Sequence, residues 1–205
     1  MAFCLLPPIH DEEWTLAVVG LETNISLYED ATYFIKILQI RKSDFQLSSS
    51  KPVENHEMIL SSMSEEEKKN CPLNNPSLIP YIIKKMTWLR PGVFAIIYDD
   101  VMCYQGLLVI LDVANRQTLF FDKSICEMYP FGFRGPDAKY LIVQNANEVY
   151  CLDLVIFEKT RIDTTTDGEF TGMCVYVEDE MAFIAVLWDF QKLMLYSYCP
   201  PKVTM

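Results

Sequence analysis

Few residues of this chain have the types and spacing that acid–base or metal chemistry needs. His10 is followed by Asp11, Glu12 and Glu13, and such a run could bind a metal ion or exchange protons. The only other histidine is His56, in a separate polar stretch. A solvated charge run is the commoner origin of such a pattern. The sequence therefore predicts no metal site.

Adjacent carboxylates occur at two further places, Asp99-Asp100 and Glu178-Asp179-Glu180. Paired carboxylates can act as general acid and base, but both groups fall between apolar runs, where hairpin turns place acidic residues. The chain has seven glycines, and it contains neither a Gly-rich phosphate-binding loop nor a Gly-x-Ser-x-Gly nucleophile motif. The sequence therefore predicts no catalytic residue and no cofactor, and we expect a protein that is not an enzyme.

Partner binding is the chemistry that the sequence favours, and residues 128–136 are its first candidate. This Gly- and Pro-rich stretch contains Tyr129, Phe131, Phe133 and Arg134. Aromatic and arginine side chains dominate the hot spots of protein interfaces, and they also stack on single-stranded bases. The alternative is that Phe131 and Phe133 fill the core, as large aromatic residues usually do. Arg134 is then the better surface candidate.

A modest basic cluster and the Pro-rich tail supply the remaining candidates for partner contact. They are Lys84, Lys85, Arg90, Pro200, Pro201 and Lys202. Consecutive prolines hold a segment extended, so the tail could insert into a groove of a partner.

The composition excludes several classes of protein. The 205 residues are 51% apolar and 13% aromatic, which argues for one sizeable core and against disorder. The net charge of −11 argues against a protein that works mainly by neutralising phosphates. The chain contains no apolar run of about 18 residues, the minimum for a membrane-spanning helix.

The cysteines indicate a reducing compartment. Their number, seven, is odd, none are spaced as Cys-x-x-Cys, and Cys151 and Cys174 lie inside apolar runs. Such a pattern is typical of reduced core cysteines. The first residues are apolar but lack a basic segment and are interrupted by Pro7 and Pro8, unlike a signal peptide. We therefore expect the protein in the cytoplasm or the nucleus.

Strand-like runs separated by turn residues occupy residues 14–41 and 88–205. They are nearly continuous in apolar residues, as strands packed on both faces are. Residues 43–80 differ, because they are polar and Pro-rich, and Ser64 with Glu67 forms a capping box for one short helix. We predict a single mainly β domain over residues 1–205, with a polar, helical insertion at about 43–80.

One strand pattern recurs about every 41 to 43 residues. Leu111 and Leu152 each precede an aspartate at the end of an apolar run, 41 residues apart, and a further 43 residues lead to Leu195. Two periods of 42 residues back from Leu111 lead to Leu27. Repeats of this length built from short strands are typical of propeller blades.

The segments around this pattern resemble WD-repeat blades. In that family an apolar strand ends in Trp-Asp or a relative of it, and Leu111-Asp112 and Leu152-Asp153 take that place here. The resemblance is clearest over residues 88–162. No Gly-His dipeptide occurs, so the family's buried hydrogen-bond network is not carried over, and Trp188-Asp189 falls at an expected turn. The resemblance implies propeller-like antiparallel sheets, and β-sandwich-like sheets are the alternative.

These features together predict a protein-interaction module that acts as a subunit of a larger assembly. An array of blades that does not close leaves an unpaired sheet edge, and a strand of a partner could complete that sheet. The alternative function is a small factor bound to a ribonucleoprotein particle such as the ribosome, where it occludes a functional site. No membrane contact is expected.

Overall fold

The computed structural model describes most of the chain in two compact units, residues 1–122 and 123–205, which are treated one at a time. The described residues are 2–6, 13–22, 32–44, 46–54, 65, 82–99, 106–115, 117–133, 137–165, 167–178 and 180–200. The predicted single domain over residues 1–205 stays a prediction.

The first unit contains two four-stranded antiparallel sheets, each with its strands in sequence order. Sheet 1 consists of β1 (Ala2–Leu6), β2 (Glu13–Glu22), β3 (Thr32–Arg41) and β4 (Leu47–Glu54). Sheet 2 consists of β5 (Ile82–Arg90), β6 (Val93–Asp99), β7 (Leu107–Asp112) and β8 (Gln117–Lys123). The predicted Pro91-Gly92 turn joins β5 to β6, and Gly92 has the positive φ of 75° that favours glycine.

The second unit repeats the same up-and-down order. Sheet 3 consists of β9 (Ile125–Phe131), β10 (Tyr140–Asn145), β11 (Glu148–Asp153) and β12 (Lys159–Thr164). Sheet 4 has three strands, β13 (Phe170–Glu178), β14 (Met181–Trp188) and β15 (Lys192–Tyr198). The prediction of a mainly β fold with antiparallel sheets is confirmed, and the described residues contain no closed barrel or propeller.

The central strands of sheets 2 and 3 are buried on both faces. Every residue of β7 is buried, as is every residue of β6 except Asp99. β10 and β11 are also buried, except at the strand ends Asn145, Glu148 and Asp153. Double-sided burial explains why these strands are nearly continuous in apolar residues instead of alternating.

The sequence repeat corresponds to the third strand of a sheet. Leu111 lies in β7, Leu152 in β11 and Leu195 in β15, each the third strand of its sheet. Leu27 lies outside the described residues. Asp112 and Asp153 end their strands by accepting backbone hydrogen bonds from Asn115 and Val155, at 2.9 and 2.8 Å. These aspartates therefore hold the turns that follow.

The sequence analysis missed β4 within the segment predicted to be a polar insertion. β4 is at the edge of sheet 1, and β3 is its one partner among the described strands. An edge strand tolerates serines and a proline such as Pro52 because one side of its hydrogen-bond ladder is not used. Of residues 55–81 the structure describes only Glu65, which is helical. Among the described residues no helix has the length and apolar character to span a membrane.

Candidate functional site

The two faces of sheet 4 have opposite environments. Its inner face packs on sheet 3 in one apolar cluster that joins the two sheets. The fully or nearly buried members are Phe131, Tyr140, Ile142, Val149, Cys151, Phe170, Met173, Ala182, Ile184 and Val186. Two polar contacts fix the junction: Gln144 Nε2 donates to the Phe170 carbonyl at 2.9 Å, and the Tyr129 hydroxyl donates to the Met173 carbonyl at 3.0 Å. Sheet 4 is therefore held rigidly by one face.

The other face of sheet 4, which we call the outer face, carries large apolar side chains in solvent. It is defined by Tyr176, Met181, Phe183, Leu193 and Leu195, which are between 37% and 73% exposed. The strand register places them on one side: Tyr176 pairs with Phe183, and Leu195 pairs with Ala185, two residues from Phe183. The Tyr176 and Phe183 rings lie 6.2 Å apart. Contiguous exposed apolar surface of this kind marks interaction sites.

A strained turn joins the two strands that carry most of the outer face. β14 and β15 are joined through Asp189 and Phe190, which both have positive φ, 45° and 57°, and Gln191 N donates to the Trp188 carbonyl at 3.0 Å. Two consecutive positive φ values define the type I′ turn, whose twist suits a hairpin. Phe190 is 79% exposed. An aromatic residue thus occupies a position that Gly or Asn normally fills.

The edge of sheet 4 at β15 lacks the protection that edge strands usually have. β15 pairs with β14, and no other described strand pairs with it. Its sequence, Lys192-Leu-Met-Leu-Tyr-Ser-Tyr198, has one charge, at the start. The edge strand of sheet 3, β12, instead carries Lys159, Arg161 and Asp163. Charges on edge strands prevent unwanted pairing, so β15 is open to pairing where β12 is not.

A cleft of about 340 Å³ adjoins the inner side of β15. It is lined by Asp163, Thr164, Thr165 and Asp167 at the end of β12, by Lys192 and Met194 of β15, and by Phe170 and Trp188. The two carboxylates outnumber the single ammonium group, so the lining is negative overall. Trp188 Nε1 donates to Thr165 Oγ1 at 3.2 Å.

Tyr196 connects β15 to this cleft. Its hydroxyl donates to Asp163 Oδ2, and the backbone N–H of Thr164 donates to Asp163 Oδ1 at 2.8 Å. Burial, the hydrogen bond to Asp163 and the negative charge of that carboxylate raise the pKa of Tyr196 to about 12. Asp163 is thereby held in one orientation beside the cleft.

The structure places the predicted aromatic candidates in different environments. Phe131 is fully buried, and its ring lies 5.2 Å from Tyr140 and 6.3 Å from Tyr198, so its side chain has no surface to offer a partner. The core position that the sequence analysis gave as the alternative is the position that Phe131 occupies. Tyr129 uses its hydroxyl in the junction between sheets 3 and 4. Phe133 is 52% exposed and remains a candidate, whereas Arg134 lies outside the described residues.

The basic cluster lies in the first unit, on β5. Lys84 is exposed, and Lys85 and Arg90 are half-buried, with Arg90 at the last position of the strand. Their role in partner binding stays a prediction.

The predicted tail site is described only at its start. Pro200 is buried, and Pro201 and Lys202 lie outside the described residues.

The acidic groups considered for catalysis are at turns or outside the described residues. Glu178 ends β13 and Glu180 lies in the turn before β14, as predicted for a hairpin tip. Asp99 ends β6, and His10, His56 and Asp100 are not among the described residues.

Sequence reasoning missed the outer face, although a signal was present. β14 and β15 are apolar on both faces, a pattern that predicts strands buried on both faces. However, β15 lacks the charged residues that β12 carries at the edge of sheet 3. An apolar strand without protective charges at a sheet edge is the pattern that would have singled out this surface.

No family model matches the chain, and no curated protein matches it.

Proposed function

We propose that this protein is a non-enzymatic interaction module that acts as a subunit of a larger assembly, and that the outer face of sheet 4 binds another protein. The observation that carries the proposal is the cluster of five exposed large apolar side chains on one rigid sheet face. Tyr and Phe are enriched at interface cores, where they provide large apolar area.

The energetics are of the right order for an interface. Full burial of a Leu or Phe side chain contributes about 1.5–3 kcal/mol, and association costs about 4–15 kcal/mol. Five partly exposed side chains together offset much of this cost. The inner face already fixes the sheet backbone through the Gln144 and Tyr129 hydrogen bonds, so little further ordering of the sheet accompanies binding.

A WD-like, blade-type origin of the four sheets is part of the same proposal. Three observations support it: the consecutive up-and-down order of strands in every sheet, the repeat that falls in the third strand, and the aspartates that end β7 and β11. Blade arrays present binding surfaces and host many unrelated partners. The net charge of −11 favours a protein partner over a phosphate backbone.

The test is affinity capture of the full chain from its own cells, comparing three versions. The wild type and the control Val155→Ser/Ile156→Ser are expected to retain a stoichiometric protein partner, and Leu193→Ser/Leu195→Ser is expected to lose it. The control removes two apolar residues that are 65% and 64% exposed in the turn after β11. Equal retention of every partner by the outer-face variant would contradict the proposal.

A further inference from the structure

We propose that the partner contributes an extended segment that pairs with the free edge of β15 as the fourth strand of sheet 4. Its alternate side chains are apolar and lie along the outer face, and a Lys or Arg between them enters the acidic cleft. This inference rests on the proposed function and names the kind of partner that the site accepts.

The strand count and the edge argue for addition of a strand. Among the described residues, sheets 1 to 3 have four strands each and sheet 4 has three. Its other edge strand, β13, contacts β9 and β10, so β15 is the edge that remains open among the described residues. Added strands gain affinity from main-chain hydrogen bonds and specificity from alternate side chains.

The side chains of β15 determine the pattern that an added strand must have. Leu193 and Leu195 point to the outer face, and Met194 and Tyr196 point to the inner side. Apolar side chains that lie opposite each other on neighbouring strands stabilise a sheet. Every second residue of the added strand therefore gains from being Val, Ile or another large apolar residue beside the two leucines.

The remaining residues of the added strand face the cleft, and its charge selects among them. Asp163 is oriented by Tyr196 and Thr164, and Asp167 is exposed in the turn that follows β12. A cationic side chain that reaches both gains charge-assisted hydrogen bonds. Residues 123–205 contain twelve acidic and seven basic side chains, so the surrounding field also favours a cation.

The same charge disfavours a second copy of this chain as the occupant. Each copy carries a net charge of −11, and β15 offers a second copy only Lys192 as a cation. Self-association through β15 would therefore place like charges together. We commit to a heterologous, apolar and basic strand.

The experiment uses the full chain and a defined fluorescent peptide, measured by anisotropy. The peptide has eleven residues, with valine at the odd positions, arginine at position 6 and threonine at the other even positions. We expect micromolar binding that weakens with salt. Replacing the arginine by glutamate should weaken binding at least tenfold. Asp167→Asn should weaken it several-fold, and the matched control Glu158→Gln, which changes an exposed carboxylate in the turn before β12, should not.

Two N-methylated peptides distinguish strand pairing from simple contact with the face. Successive backbone N–H groups of a strand point to opposite edges, so methylation of odd and of even residues blocks different edges. Strand addition predicts that one methylated peptide loses at least tenfold in affinity and that the other is nearly unchanged. Equal binding of both, or no binding of the parent peptide, would overturn the inference.

The outcomes separate this inference from the proposed function. If the parent peptide fails to bind but Leu193→Ser/Leu195→Ser still loses a cellular partner, the outer face binds proteins by another mode. If capture is unaffected by that variant, the proposed function fails. A concentration-dependent dimer of the wild type in light scattering, lost in the leucine variant, would identify a second copy as the occupant and overturn the inference.

Discussion

Phe190 has an unfavourable backbone conformation at the tip of the β14–β15 hairpin. Its φ of 57° is in the left-handed region, and its side chain is exposed to solvent. Strain of this kind costs about 1–3 kcal/mol and is concentrated at functional positions. We therefore predict that the exposed ring of Phe190 contacts the partner.

Substitution of Phe190 tests two effects of this residue: its effect on the free energy of unfolding and its effect on partner binding. Phe190→Gly relieves the left-handed strain and should raise the free energy of unfolding by about 1 kcal/mol, as measured by urea denaturation. It should also weaken capture of the partner, because the ring is removed.

Phe190→Ala is the matched control for this gain. It removes the ring but keeps the strained conformation, so we expect no stabilisation. A gain of equal size in both variants would assign the effect to the exposed ring and not to the backbone.

At the scale of the element, sheet 4 is anchored by the loop that precedes it. Glu169 N donates to Asp189 Oδ1 at 2.7 Å, and Asp189 N donates to the Glu169 carbonyl at 2.9 Å, so the start of β13 is tied to the β14–β15 turn. Gly168 has a φ of 109°, and a Cβ there would overlap the Asp189 carboxylate. Only glycine fits this approach.

Gly168→Ala should therefore destabilise the protein by about 2 kcal/mol or more, since strain and overlap add. Gly172→Ala, in the same strand region, is the control: no atom lies within 4 Å of its added Cβ, and we expect a change within about 0.5 kcal/mol. Thermal unfolding of both variants measures the difference. Similar melting temperatures would show that the loop relaxes without cost.

The sequence was sufficient to identify strands but not the face on which each side chain lies. The repeat correctly led to the third strands, because Leu111, Leu152 and Leu195 all lie there, yet Leu111 and Leu152 are fully buried and Leu195 is 73% exposed. β7 and β11 are central strands buried on both faces, whereas β15 is the edge strand of sheet 4 and its outer face is exposed. A spacing of about 42 residues does not show what packs against each strand.

The sequence predicted that the site would be a partner-binding surface, but it did not predict which residues form it. The sequence indicated a partner surface, an open edge and the possible core position of Phe131. It did not distinguish Leu193 and Leu195 from core leucines, because exposure depends on what packs against a face and not on residue type. Likewise β4 was missed because an edge strand can be rich in serine.

At the scale of the whole molecule, tyrosine ionisation should limit stability in alkaline solution. Burial and the neighbouring Asp163 raise the pKa of Tyr196 to about 12; burial and the neighbouring Cys151 do the same for Tyr198. An unfolded tyrosine releases its proton near pH 10. The stabilising effect of these protonated side chains is present in full below about pH 10 and is lost as the pH rises toward 12.

We therefore expect the urea midpoint to be insensitive to tyrosine ionisation up to about pH 9.5 and to fall between pH 10 and 12. Absorbance at the phenolate band should show that Tyr196 and Tyr198 are among the tyrosines that ionise late in the native protein and early in urea. The variant Tyr196→Phe should show a shallower decline in stability. An unchanged decline would assign the effect to other groups, such as lysines.

The connectivity of the sheets also has a consequence for how the chain is made. Neighbouring strands within each sheet are neighbours in the sequence, so each sheet can form from local hairpins, which close in about 1–10 μs. Synthesis at about 5–20 residues per second is far slower. Sheet 3 is therefore able to form while sheet 4 is still being translated. During those seconds Ile142 and Cys151 lack the strands that later cover them, and this is the interval in which chaperones and aggregation compete for the nascent chain.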